Sequence, residues 1–111
     1  MAKHPEGGIL KGEKMQVGTI VKLKIDCLNN KTGTLGMVFY DYGDGFQVIF
    51  ENGKYDGFHT EGYFANTKQT EADFILEKVG FESSLSGYKF KNVLQVEQDF
   101  RNGLFNIIWK K

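Results

Sequence analysis

The sequence predicts a mainly β protein of the α+β class, in which about six short strands curl into a small barrel or β-roll beside one short helix. Apolar and polar residues alternate with a period of two over several short segments, which is the pattern of half-buried strands. The chain holds fourteen glycines and one proline, a balance that favours tight turns over extended linkers. An Asn-Gly pair follows one alternating segment, and this pair is the strongest short signal of a β-hairpin.

Length and composition predict one globular domain. The 111 residues are 41% hydrophobic and 25% charged, which is ordinary for a single folded unit. Residues 1–15 are polar and glycine-rich without periodicity, so we expect them to form a flexible N-terminal arm. Residues 16–111 are then expected to form a single barrel domain with a helical insertion.

The expected location is the cytoplasm, without a membrane contact. No apolar run approaches the ~18 residues that a transmembrane helix needs, and the N-terminus lacks the apolar region of a secretory signal. The single cysteine, Cys27, excludes an internal disulfide and suits a reducing compartment.

The first predicted strand follows Val17. Apolar residues occupy every second position from Val21 to Cys27, and polar residues occupy the positions between them. We therefore expect a half-buried strand with Ile25 and Cys27 on its core face. A cluster of turn residues over 29–33 ends this strand.

The second predicted strand, residues 34–42, is rich in β-branched and aromatic residues, which favour strands. Its orientation depends on the length of the following loop near Gly43. A two-residue loop would direct Met37 and Phe39 to the core. A three-residue loop would direct a different set there, namely Val38, Tyr40 and Tyr42.

The third and fourth predicted strands form a hairpin. Every second residue of the third strand, residues 46–51, is aromatic or β-branched apolar on one face. The pair Asn52-Gly53 predicts a two-residue loop. That loop places Phe50 opposite Tyr55, an aromatic pair that stabilises a sheet.

The remaining elements are one helix and a closing hairpin. The helix is predicted over about residues 71–79, where Thr70 and Asp73 form a capping-box pattern and Gly80 is placed as a left-handed C-terminal residue. Two strands at residues 91–101 and 104–110, joined by Asn102-Gly103, are predicted to form the closing hairpin. Its register would place Trp109 beside Val96 over the core.

Three segments carry a resemblance to a known family. They are VGTIV at 17–21, GTLGMV at 33–38 and GFQVIF at 45–50, the last followed by the Asn52-Gly53 turn. In this order they resemble SH3-like small barrels of the KOW and Tudor type over about residues 17–58. The resemblance implies a binding scaffold, because such barrels bind peptides, nucleic acids or partner proteins.

A second likeness is misleading. The segment VFYDY at 38–42 looks like the ALYDY strand of SH3 domains that bind proline-rich peptides. Those domains also need a mid-chain tryptophan pair and a late Pro-Asn-Tyr segment. This sequence has one tryptophan, and its one proline is Pro5, so proline-rich recognition is not predicted.

The aromatic content predicts an interaction surface. Sixteen of the 111 residues are aromatic, which is more than one small core needs. Exposed clusters of aromatic residues mark interaction sites. The predicted partner-binding residues are Tyr40, Asp41, Tyr42, Asp44, Asp56, Phe58, His59, Tyr63 and Phe64.

Charge disfavours nucleic acid as the first choice of partner. Fourteen basic and fourteen acidic residues cancel, whereas nucleic-acid binders usually carry a basic surplus. A nucleic-acid-binding barrel of KOW or Tudor type remains an alternative and would use stacked aromatics with two pairs of lysines that alternate on strand faces. These pairs are Lys22 with Lys24 and Lys89 with Lys91. A second alternative is a protein that sequesters a small ligand such as a nucleotide.

No catalytic residue, metal ligand or cofactor site is predicted. Residues 41–45 lack the ligand spacing of a calcium loop, and His59 with scattered carboxylates falls short of a three-ligand zinc site. Cys27 would need a neighbouring base to act as a nucleophile. The sequence therefore predicts a non-catalytic module that binds a protein partner. An inhibitor of a host system, encoded by a phage or mobile element, is a more specific form of this hypothesis.

Overall fold

The computed structural model describes residues 7–110, so the first six residues of the predicted arm lie outside the described chain. The described strands are β1 (Thr19–Leu23), β2 (Leu35–Asp41), β3 (Gly45–Phe50), β4 (Tyr55–His59) and β5 (Leu76–Phe81). The helices are α1 (Glu71–Ile75), α2 (Val93–Arg101) and α3 (Asn106–Trp109), and a single 3-10 turn occupies Ser83–Leu85. The prediction of a mainly β protein with helical additions is confirmed at this level.

All five strands form one antiparallel sheet in the order β4-β3-β2-β1-β5. The first four are a meander, as predicted, and β5 returns to pair with β1. Strands β4 and β5 are the edges, so the sheet is not closed into a barrel. None of the helices within residues 7–110 combines the length and the apolar character that a membrane crossing would require.

One face of the sheet, which we call the segment face, is covered by residues 7–15 and α1. Its core contains Ile9, Met15, Val21, Leu23, Val38, Phe46, Val48, Phe50, Phe58, Ala72, Ile75 and Leu76. We expected residues 7–15 to belong to a flexible arm. In the structure they pack on the sheet, and Ile9 is only 1% exposed. Carboxylates fix this segment: the Ile9 N–H donates to Asp73 Oδ1 at 2.8 Å, and the Met15 N–H donates to Asp41 Oδ2 at 2.7 Å.

The opposite face, which we call the helix face, is covered by the 3-10 turn, α2 and α3. Its core contains Ile20, Met37, Phe39, Ile49, Leu85, Val96, Phe105 and Ile108. Burial on both sides explains why the orientation of β2 was ambiguous in the sequence. Val38 faces the segment face while Met37 and Phe39 face the helix face, so each predicted alternative holds in part. The β2–β3 register shifts between Val38 and Tyr40. Tyr40 is 39% exposed, and its ring packs on Phe90.

The predicted closing hairpin is wrong, because residues 93–101 and 106–109 are helical. Val96 and Phe100 lie four positions apart, and both pack into the helix-face core. Helical spacing and strand alternation both place these two residues on one face, so the apolar pattern allowed either structure. Trp109 packs against the same core as Val96.

Caps at both ends of α2 explain why this segment is a helix and not the predicted strand. The side chain of Asn92 accepts a hydrogen bond from the Gln95 N–H at 2.9 Å. At the other end Gly103 has φ +80°, its N–H donates to the Phe100 carbonyl, and the Leu104 N–H donates to the Asp99 carbonyl. These two bonds form a Schellman motif. The Asn-Gly pair therefore ends a helix here, since a hairpin turn and a Schellman cap both use a left-handed glycine.

The predicted helix over 71–79 is also too long. Thr70 caps α1 as expected, because its Oγ1 accepts a hydrogen bond from the Asp73 N–H at 3.0 Å. The helix ends at Ile75, and Leu76 adopts the extended angles φ −125° and ψ 155°. From Leu76 onward the chain pairs with β1, so Gly80 lies within a strand instead of ending a helix. Pairing with β1 supplies backbone hydrogen bonds to residues 76–81, and this stabilisation outweighs the helical spacing of the apolar residues.

The first strand and the β3–β4 loop differ from prediction by small shifts. Strand β1 ends at Leu23, so Ile25 is 39% exposed instead of facing the core. The β3–β4 loop has three residues, because the Phe50 N–H donates to the Lys54 carbonyl. Tyr55 therefore pairs with Ile49 instead of Phe50. Gly53, at φ +84°, supplies the left-handed position that such a loop ends on.

Candidate functional site

The structure brings part of the predicted surface together at one end of the sheet, where the β2–β3 turn meets the end of β4. The rings of Tyr42 and His59 meet edge to face, with centroids 6.3 Å apart. The Thr60 N–H donates to the Asp44 carbonyl at 2.9 Å, which ties the turn to the chain that leaves β4. We call this region the aromatic-acidic end, and it consists of Tyr42, Asp44, Asp56, His59, Glu61, Tyr63, Phe64 and Glu71.

A cleft of about 180 Å³ opens at this end. Its lining residues are His59, Glu61, Tyr63, Phe64 and Glu71. Phe64 is fixed from behind by Phe74, with ring centroids 5.1 Å apart, whereas Tyr63 is 61% exposed. The cleft therefore combines two aromatic rings, an imidazole and two carboxylates at the surface.

Three predicted residues do not belong to this end. Phe58 is 1% exposed and lies in the segment-face core, so its ring is not presented to a partner. Tyr40 packs on Phe90 at a centroid distance of 4.7 Å, on the helix face. Asp41 is engaged inside the chain, because its carboxylate accepts hydrogen bonds from the Met15 and Gly43 N–H groups.

Glu71 belongs to this end although the sequence analysis did not select it. It is the first residue of α1, and its Oε1 accepts a hydrogen bond from the His59 N–H at 3.0 Å. Asp56 acts in a similar way on the same strand, because its Oδ1 accepts from the Gly57 N–H at 2.8 Å. Two amide groups of the edge strand β4 are thus bound by carboxylates. In the sequence, the position of Glu71 directly after the helix cap Thr70 indicated that it begins a helix.

The aromatic-acidic end is electronegative. Burial raises the pKa of the Tyr42 hydroxyl, and the carboxylates of Asp44, Glu71, Asp56 and Asp41 raise it further. Neighbouring carboxylates disfavour the negatively charged phenolate of Tyr42, so the electrostatic potential around this ring is negative. The same field reaches Cys27: burial first, then Asp56 and Glu71, raise the pKa of its thiol. A thiol whose pKa is raised is a poor nucleophile at neutral pH.

One cation already lies at this end. The Nζ of Lys11 is 4.9 Å from the centroid of the Tyr63 ring, within the range of a cation–π interaction. The neighbouring Gly12 N–H donates to the Thr60 carbonyl at 2.7 Å, so the backbone beside Lys11 is bonded to the residue that follows β4. Both Lys11 and Tyr63 are exposed to solvent.

The lysines of the nucleic-acid alternative are not arranged as predicted. Lys22 lies on β1, but its Nζ is 3.7 Å from Glu77 Oε1, and Lys24 lies past the end of β1. Lys89 and Lys91 occupy an irregular segment before α2 instead of a strand, so the predicted alternation of that pair is wrong. Among residues 7–110 no group of three or more His, Cys, Asp or Glu side chains is placed to hold a metal ion.

Comparison with family models, curated proteins and solved structures gave no significant match to this chain. The functional argument therefore depends on the geometry and charge of the aromatic-acidic end.

Proposed function

We propose that this chain is a non-catalytic module that binds a positively charged segment of a partner protein at its aromatic-acidic end. The observation that carries the proposal is the cleft in which the carboxylates of Glu61 and Glu71 lie beside the rings of Tyr63 and Phe64. The raised pKa of Tyr42, caused by burial and then by four acidic neighbours, agrees with negative charge at this end. A protein of zero formal net charge thus has negative charge concentrated beside one exposed aromatic ring, Tyr63, and two half-buried ones, Tyr42 and Phe64. Charge complementarity of this kind selects and steers a basic partner.

The strand arrangement supports an SH3-like scaffold for this module. The meander β1–β4 covers most of the stretch that resembles those barrels, and β5 returns to pair with β1. Most of the aromatic-acidic end lies on loops and strand ends, with Glu71 at the start of α1, and loops on a rigid scaffold are where binding residues usually lie. An inhibitor that a phage or mobile element encodes, acting by covering a basic surface of a host protein, is the more specific form of the proposal.

The absence of chemistry is part of the proposal. The raised pKa of Cys27 keeps its thiol protonated at neutral pH, which supports an inert thiol over a nucleophile. His59 lies at the surface with its ring edge against Tyr42. We therefore propose recognition, and no reaction, as the role of these residues.

The test is a titration of the isotope-labelled full chain with a short lysine-rich peptide, followed by two-dimensional NMR. We expect shifts to concentrate at Tyr42, His59 and Tyr63, and the affinity to fall as salt is added, because exposed charges are screened. An acidic peptide of equal length should cause none of these shifts.

Two variants make this test specific. Glu61→Gln should weaken peptide binding, whereas Glu51→Gln, an exposed carboxylate at the opposite end of β3 and β4, should leave it unchanged. Equal effects of the two substitutions would contradict a localised site. Tight binding of single-stranded DNA or RNA, with shifts at Lys89 and Lys91, would favour the nucleic-acid alternative and overturn the proposal.

A further inference from the structure

We propose that the cleft of the aromatic-acidic end accepts one lysine or arginine side chain of the partner, and that Lys11 of this chain competes with that side chain for the Tyr63 ring. This inference rests on the proposed function. It adds the chemical identity of the group that is bound and a residue of this chain that lowers the affinity for that group.

The walls of the cleft suit a single organic cation. Glu61 and Glu71 supply negative charge, and the rings of Tyr63 and Phe64 supply π faces, while none of the five lining residues is a lysine or arginine. A cation is attracted both by carboxylates and by the face of an aromatic ring. The volume of about 180 Å³ is below the range of typical small-molecule sites, so one extended side chain is a better fit than a folded segment.

Lys11 shows that a primary ammonium group can lie over the face of the Tyr63 ring. Its Nζ lies over the Tyr63 ring at 4.9 Å, and the geometry is that of an intramolecular ligand. A partner cation that approached the same ring face would have to displace Lys11. Because both side chains are exposed, this displacement requires no opening of the core.

The backbone around Lys11 is held, so its proximity to Tyr63 is built into the fold. The Leu10 N–H donates to Glu13 Oε1 at 2.8 Å, and the Glu13 N–H donates back to the Leu10 carbonyl at 3.1 Å. The other oxygen of Glu13 pairs with Lys78 Nζ at 2.6 Å. A turn clasped in this way keeps the local concentration of the Lys11 ammonium high, as a tethered ligand does.

The experiment compares binding of a blocked Gly-Gly-Lys-Gly-Gly peptide to the full chain, to three single variants and to one double variant by NMR titration. Lys11→Ala should tighten binding roughly two- to five-fold, the factor that an exposed cation–π contact supplies. Lys14→Ala, an exposed lysine of the same segment, is the matched control and should change nothing. Tyr63→Leu should weaken binding and should abolish the gain from Lys11→Ala when the two are combined.

The possible results separate this inference from the proposed function. A lysine-rich peptide that binds the aromatic-acidic end with equal affinity in the presence and absence of Lys11 would overturn the competition and leave the proposed function standing. Binding of the single-lysine peptide that is unaffected by Tyr63→Leu would overturn the assignment of the cleft. Failure of both peptides to bind any variant would remove the proposed function itself. A Gly-Gly-Gln-Gly-Gly peptide should not bind, and its binding would overturn recognition of a cation.

Discussion

The two faces of the sheet are buried to a similar depth by different means. On the segment face, an irregular stretch is fixed by carboxylates that accept backbone N–H groups, as Asp73 does from Ile9 and Asp41 from Met15. On the helix face, α2 and α3 are held by apolar packing, and α2 also accepts two hydroxyl–carboxylate hydrogen bonds, from Tyr55 to Glu97 and from Tyr88 to Asp99. A segment without hydrophobic periodicity can therefore pack into a core when its backbone N–H groups have hydrogen-bond acceptors. A buried N–H group without an acceptor would cost free energy of folding.

The largest effect is expected from the packing of the helix face. Phe105 is fully buried, and its ring packs edge to face on Tyr88 with centroids 5.4 Å apart. Phe105→Ala should lower the free energy of unfolding by about 3–5 kcal/mol, measured by urea unfolding with Trp109 fluorescence as the probe. The control is Ile107→Ala in α3, a half-exposed residue two positions after Phe105, with an expected loss below ~0.5 kcal/mol. Similar losses for both variants would show that α3 is not packed as described.

The next effect should come from the polar anchor of the segment face. Asp73→Ala leaves the buried Ile9 N–H without its acceptor, which costs about 1–3 kcal/mol. Hydrogen exchange at the Ile9 amide should become faster, while the amides of α2 should keep their protection. Asp73→Asn retains an acceptor oxygen and should cost less. Unchanged exchange at Ile9 in the alanine variant would show that this carboxylate does not hold the segment.

A smaller effect tests the contact between the β3–β4 loop and α2. Gly33 and Gly53 both have positive φ, +94° and +84°, so an alanine strains the backbone at either position. A Cβ at Gly33 would meet nothing within 4 Å, whereas one at Gly53 would lie 2.8 Å from the Phe100 ring. Gly53→Ala should therefore destabilise the protein by about 1 kcal/mol more than Gly33→Ala, measured by thermal unfolding. Equal losses would mean that Phe100 moves away without cost.

The smallest effect concerns pH on the helix face. Burial, followed by the hydrogen bond to Asp99, raises the pKa of Tyr88 above its ordinary value. The stabilisation from this raised pKa is complete below about pH 10, where unfolded tyrosine begins to ionise, and it is lost as the pH rises further. Tyr88→Phe should thus be less stable than the parent by about 0.5–1 kcal/mol at pH 7. The difference should shrink between pH 10 and 11 in urea unfolding, and a constant difference over that range would contradict this assignment.

The sequence predicted what depends on neighbouring residues and missed what depends on distant ones. Alternation and composition located β2 and β3 within one residue at each end, and the Asn52-Gly53 turn predicted that a further strand follows. Alternation could not orient β2, because Met37 and Val38 are both fully buried on opposite faces. Residues 7–15 gave no local signal, since the acceptor of the Ile9 N–H is 64 positions away in the chain.

The two Asn-Gly pairs show the same limit. Asn52-Gly53 turns a hairpin and Asn102-Gly103 ends a helix, although each uses a glycine with positive φ. Asn92, ahead of Val93 and Val96, was a helix-start signal in the sequence, and giving it weight would have favoured the helix. In the candidate site, composition pointed to His59, Tyr63 and Phe64. The roles of Glu71 and Lys11 required the fold, because α1 and the N-terminal segment bring them to the end of β4.

The carboxylates bound to β4 affect where this sheet can pair with a strand of another molecule. An uncovered strand margin is a template on which another molecule can add its own strand. On β4 the Gly57 and His59 amides are occupied by Asp56 and Glu71, so a newcomer finds few donors there. The other margin, β5, exposes Val79 and Phe81. The Lys78 N–H of this strand donates to the Gly7 carbonyl at 2.6 Å, but among residues 7–110 no carboxylate is bonded to the backbone of Val79 or Phe81. Fibril growth or strand exchange between molecules should therefore begin at β5, and a charged residue introduced there should delay it.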